Sequence, residues 1–130
     1  MSALAIVQAA LTAALRAHAP LAGRVSGIHL GPPPRAAFPY VAIGAVASGD
    51  WSHKTARGRE IRFGATLWDD DAERATALTD AVEAAVDAMP RVLAGHRIVS
   101  LVHLRTRMLR ERGDGPWAGI VEYRARTLEE

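Results

Sequence analysis

Leu4, Val7, Leu11 and Leu15 recur at three- and four-residue spacing and form one apolar stripe of a helix over about Ala3–His18. Ser2 stands where an N-cap belongs, and Pro20 and Gly23 end the pattern. Val25–Leu30 reads as a short strand. Gly31, Pro32, Pro33 and Pro34 then make a stiff, extended connector. Phe38–Ala47 alternates as a second strand. Val41, Ile43 and Ala45 lie on one face and Tyr40, Ala42 and Val46 on the other. Pro39 marks a strand start or an edge.

The next strand, Glu60–Trp68, alternates cleanly, with Ile61, Phe63, Ala65 and Leu67 inward and Arg62 and Thr66 outward. Between the two strands lies a polar stretch, Ser48–Arg59, of about a dozen residues, far longer than an ordinary hairpin turn. Asp69, Asp70 and Asp71 precede a helix over about Ala72–Met89, buried along Ala75, Leu78, Val82, Ala85 and Val86 and stopped by Pro90. Arg97–Leu109 and Trp117–Leu128 are two long strands joined by a hairpin loop, Arg110–Pro116, whose Gly113, Asp114 and Gly115 supply the turn. On the first, Ile98, Val102, Leu104 and Met108 share a side, opposite Val99, Leu101, His103, Arg105 and Arg107. On the second, Trp117, Val121, Tyr123 and Ala125 face one way and Glu122, Arg124 and Arg126 the other.

The element order is α-β-β-β-α-β-β. It predicts an α+β fold: a mainly antiparallel sheet of four to five strands with two helices packed on one face. One domain over residues 1–130 suits this length. No repeat or linker interrupts it.

Composition narrows the function classes. The chain is 49% hydrophobic and 23% charged, as soluble globular proteins are. It has no cysteine, which excludes a disulfide framework and a thiolate metal site. The formal charge is only +2, small for a duplex-DNA binder. The pI of about 9.7 reflects late-titrating arginines. No apolar run reaches the roughly 18 residues that span a bilayer. The N-terminal apolar segment precedes its first basic residue, Arg16, the reverse of a secretory signal. Synthesis in the cytoplasm and no membrane partner are the expectation.

Candidate chemistry is sparse. His18, His29, His53, His96 and His103 fall in no metal-binding spacing. Asp69–Asp71 suits a helix start, where carboxylates meet free amides, better than a hard cation. No serine sits in a nucleophile elbow. Gly113, Gly115 and Gly119 lie in a hairpin and form no phosphate cradle. No enzyme, cofactor or metal is implied. Arg105, Arg107, Arg110 and Arg112 could make a basic ridge for nucleic acid. Glu111, Asp114 and Glu122 close by favour a mixed-sign, solvated face. Trp51 and Trp117 stand near loop ends, where tryptophan serves either a protein contact or the domain's own edge.

An alanine- and leucine-rich N-terminal helix is followed by FPYVAIG (Phe38–Gly44), DWSHKTARGREIRFGATLW (Asp50–Trp68), LAGHRIVSL (Leu93–Leu101) and a closing hairpin that ends VEYRART (Val121–Thr127). In that order and spacing the chain resembles the DUF3168 family of phage tail completion proteins, found in tailed phages, prophages and gene transfer agents. The likeness covers nearly the whole chain. It implies a small α/β fold and a structural role as tail terminator at the head–tail junction. There a hexameric ring of identical subunits would cap the tail tube protein and dock a head connector or stopper protein. DNA would pass through the lumen without specific binding.

A ring needs two lateral surfaces per subunit. The candidate assembly contacts are the Pro32, Pro33 and Pro34 arm; Trp51, His53, Lys54, Arg57 and Arg59 of the long loop; and Arg110, Arg112 and Trp117 of the hairpin. The alternatives are another connector component, stopper or adaptor, and a small nucleic-acid-binding module. A hydrolase ranks last.

Overall fold

The computed structural model describes residues 1–130 except the side chains of Ala45 and Val46, so the sequence reading of their faces lies outside the described residues. The elements are α1 (Ala3–Ala17), α2 (Ala19–Ala22), β1 (Ile28–Leu30), β2 (Tyr40–Asp50), β3 (Gly58–Asp69), α3 (Ala72–Asp87), β4 (Val92–Leu93), β5 (His96–Arg110) and β6 (Trp117–Glu129). The strands form one six-stranded sheet in the order β1-β2-β3-β6-β5-β4. The α+β class holds. Three helices and six strands replace the expected two and four to five. The extra pieces, α2 and β4, are too short to show a period.

The sheet is mixed. β1 lies parallel to β2, with Ile28 beside Val41 and Leu30 beside Ile43, and every other pair is antiparallel. The Pro32–Pro34 arm makes the return from β1 to β2 without a helix. Ser26 donates its amide to the Pro39 carbonyl at 2.8 Å and its hydroxyl to that of Ala37 at 2.6 Å, tying the arm down.

α1 and α3 pack together over one face of the sheet. Val7, Leu11 and Leu15 of α1 and Leu78, Val82, Ala85 and Val86 of α3 are buried against Val41, Ile43, Ile61, Phe63, Leu67, Val121 and Ala125. Phe63 and Tyr123 stack at 5.9 Å in the middle of this layer. Each of the valines, leucines, isoleucines and Phe63 in this layer contributes roughly 1.5–3 kcal/mol by leaving water. Gly119 lets α3 approach: a Cβ there would run into the Thr79 side chain. The α1 stripe, the inward set of β3 and the inward set of β6 are as the sequence predicts.

The long loop shrinks. β2 continues to Asp50 and β3 begins at Gly58, so Ser48 pairs with Ile61 and Asp50 with Arg59. Only residues 51–57 turn. The polar residues of Ser48–Arg59 imitate a loop because the strand ends are solvated.

β5 departs further. Register shifts between Ile98 and Ser100 and between His103 and Arg105 are bulges, each adding one residue and reversing the alternation. Ile98, Leu101, His103, Thr106 and Met108 therefore lie opposite the inward residues of β6, from Thr127 to Gly119. Val102 and Leu104, read from the sequence as companions of Ile98, are exposed instead.

Candidate assembly surfaces

β3 spans twelve residues, which separates its two ends by roughly 35 Å. Residues 51–57 turn at one end. Trp51 donates its amide to Gly58 at 2.9 Å and His53 to Ala56 at 2.8 Å, so the turn is held by its own backbone. The Ser52 hydroxyl bonds Asp50 at 2.6 Å and accepts from the Gly58 amide at 3.1 Å. That hydroxyl holds the Asp50 carboxyl below its usual range. The Trp51 ring meets His53 edge-on at 4.6 Å and lies 5.3 Å from the Arg126 guanidinium, a cation–π contact. Arg126 is in turn bonded to Glu60 at 2.9 Å. Lys54 and Arg57 are exposed, and Arg59 spans to Ser48 at 3.1 and 3.2 Å from its strand position.

A cleft of about 580 Å³ opens beside this turn, between the start of α1 and residues that include Asp50, Arg57, Arg59, His96 and Glu129. Its charges are of both signs.

At the other end, residues 111–116 connect β5 to β6. Arg110 donates to the Gly115 carbonyl at 3.1 Å and covers the Trp117 ring at 5.4 Å. Arg112 takes a left-handed backbone, φ 62°. Trp117 is partly buried against the core. Asp69, paired with Trp117 across the strands, is fully buried. Arg74 grips it with two bonds of 2.7 and 2.6 Å, and the Asp70 amide adds a third at 2.8 Å. Burial opposes ionisation of Asp69. The guanidinium and the amide outweigh it and hold the carboxyl below its ordinary value, while the Arg74 pKa rises. Asp71 alone caps α3, accepting from the Arg74 amide at 2.8 Å. Among the described residues no cluster of His, Asp and Glu could hold a metal ion.

The structure thus gathers Trp51, His53, Lys54, Arg57 and Arg59 at one end and Arg110, Arg112 and Trp117 at the other. Pro32, Pro33 and Pro34 lie apart, along the β1 edge. Three residues absent from the sequence-based site emerge. Arg74 anchors Asp69, Arg126 supports Trp51, and Glu122 ties Arg105 and Arg107 at 3.0 and 3.3 Å. That last pair of bonds draws the Glu122 carboxyl down and partly neutralises the suspected basic ridge. Outward alternation marked Glu122 and Arg126; their partners depend on strand register, which alternation does not fix.

Comparison with known proteins agrees with this architecture. No curated protein matches the chain. A chain of the virion of a native gene transfer agent particle is 32% identical, with a TM-score of 0.76, over 98% of this chain and 99% of that one. The gp17 protein of bacteriophage SPP1 shares the fold at 21% identity and a TM-score of 0.65, over 92% of this chain and 86% of its own. The family model for tail completion protein gp17 matches residues 9–128, so the chain belongs to the gp17 family of tail completion proteins.

Proposed function

We propose that this protein is the tail terminator of a phage-like particle: it assembles as a ring, hexameric by resemblance, on the head-proximal end of the tail tube. The ring stops tube growth and offers its far side to the head connector, at the head–tail junction. The role is structural, with no reaction. The observation that carries the reading is the tail completion family match over residues 9–128. The likeness to a chain of a gene transfer agent virion supports a place inside a particle, beside other tail or head proteins.

The surface chemistry suits this role. The two ends of the sheet carry separate sets of exposed groups, Lys54 and Arg57 against Arg110 and Arg112. One set is free to meet the tube and the other the connector. Arg105, Arg107 and Arg126 are paired with Glu122 and Glu60, so DNA passing nearby meets a field of mixed sign. Dense unpaired arginine would bind phosphates tightly and hinder transit.

Deletion of the gene from a producing strain tests the reading. Tails of uncontrolled length, or heads without tails, are the expected result. Normal tails of normal length would sink it. Normal tails with filled heads that leak DNA would point to a stopper instead.

A further inference from the structure

The face of the sheet turned away from α1 and α3 is built in rows across the strands. One row runs Ala47, Arg62, Arg124, Val102 from β2 to β5. Arg62 and Arg124 are direct cross-strand partners, a like-charge pairing that destabilises a sheet. Neither has an ion pair among the described residues, although the rows on either side do, through Glu60 with Arg126 and Glu122 with Arg105. The Arg124 Nε is buried with no hydrogen-bond acceptor, and so is that of Arg107. A buried N–H of a charged group without an acceptor is costly. Glu60 is near enough to feel both charges but is bonded to Arg126, so the arrangement leaves a place for an anionic group from outside the subunit.

Two occupants have the right charge: duplex phosphates and an acidic protein surface. The face favours protein. Glu60 and Glu122 are taken up by Arg126, Arg105 and Arg107, so the unpaired charge is confined to Arg62 and Arg124 and offers no continuous track for a phosphate backbone. Exposed Val102, Leu104 and Leu109 on β5 are apolar, and arginine set among apolar residues is typical of protein contacts. The chain itself carries the complement. The exposed side of α3 shows Glu73 and Asp80 around the small residues Thr76 and Ala77. That side points away from the sheet, so one copy cannot satisfy its own arginines with it.

We infer that the Arg62–Arg124 row of one subunit receives the acidic outer side of α3 of the next copy, giving a head-to-tail contact. Such a contact uses two different patches and closes only by rotation, which a ring requires. The inference rests on the ring reading above and names the surfaces that make it.

The chain has no cysteine, so introduced thiols report unambiguously. Val102→Cys, beside Arg124, and Ala77→Cys, on the exposed side of α3, are combined in one chain and supplied to a strain whose own copy is deleted. A short flexible bis-maleimide added to the purified particles is expected to give a ladder of covalent species beyond the dimer. Each single variant is expected to stay monomeric. No ladder, or one that stops at the dimer, in particles with normal tails would overturn the inference and leave the terminator reading standing. Normal tails in the deletion strain would defeat the terminator reading itself.

A second arm removes dependence on the crosslink. Arg62→Glu with Arg124→Glu is expected to lower the yield of correctly tailed particles at least tenfold, and Glu73→Arg with Asp80→Arg in the same chain to restore most of it. A quadruple variant that melts like the parent but restores nothing refutes the pairing. Loss of duplex DNA binding in the double variant, with no ladder in the crosslink, would reassign the face to DNA.

Discussion

Each end of the sheet carries a tryptophan under an arginine, and the two pairs do different things. Trp117 belongs to β6, packs on the core and is covered by Arg110 of the neighbouring strand. Trp51 belongs to a turn and lies on Arg126, whose side chain is on the helix-free face and already bonded to Glu60. At the first end the ring is part of the fold. At the second the fold positions the ring, and little of the core depends on it. Beneath Trp117 the buried Asp69 fixes the start of α3 through Arg74. Among the described residues no buried ion pair of this kind underlies Trp51. One end is therefore anchored by burial, and the other is presented by a backbone-bonded turn.

The largest effect expected at the anchored end is that of Asp69→Ala. It takes two of the three carboxylate bonds of Arg74, leaving the one to Asp70, and removes the acceptor of the Asp70 amide, costing about 2–3 kcal/mol, read as a shift in the denaturant midpoint. The pair also sets a pH dependence. The folded pKa of Asp69 lies below the ordinary 3.8. Its contribution is therefore complete above pH 3.8 and is lost as the pH falls through the lowered folded value. A variant whose acid unfolding matched the parent's would remove Asp69 from the account.

Trp117→Ala should come next, at about 2 kcal/mol for a partly buried ring, measured by thermal melting. Trp51 is half-buried like Trp117 but does not pack on the core, so Trp51→Ala should cost about 1 kcal/mol, the worth of its cation–π contact, while weakening assembly on tail tubes. Equal losses of stability at the two sites would erase the distinction between the ends. The smallest effect has the opposite sign. Arg112→Gly relieves a left-handed backbone and should stabilise the subunit by up to about 1 kcal/mol. If Arg112 meets a partner, the same variant also assembles less well, a separation that melting and particle yield together resolve.

Much of the scaffold was legible because its alternation is unbroken. Val7, Leu11 and Leu15, the Ile61–Leu67 set and the Val121–Ala125 set each keep one phase from end to end. β5 is illegible in its middle because a bulge leaves no mark in the sequence: unbroken alternation puts Ser100 on the side of Ile98, yet a register shift before it, and another before Arg105, turn the strand over. The Ser48–Arg59 stretch looks like a loop in sequence because Ser48, Asp50 and Arg59 are polar and exposed or half-exposed, which paired strand ends also are. Among the three aspartates the sequence suggested a shared role. Burial divides them, with Asp69 an ion-pair anchor and Asp71 the cap. The arginine row was hidden most deeply. Arg62 and Arg124 lie 62 positions apart, and only the β3–β6 register makes them neighbours.

β5 presents its outer edge almost bare, since β4 pairs with it only at Arg97 and His96. A straight strand so exposed would recruit the strands of other chains and seed aggregates in the pool of newly made subunits. Its two bulges twist that edge out of line, so a stranger's backbone finds no continuous ladder to join. A protein proposed to end one polymer is in this way kept from starting another.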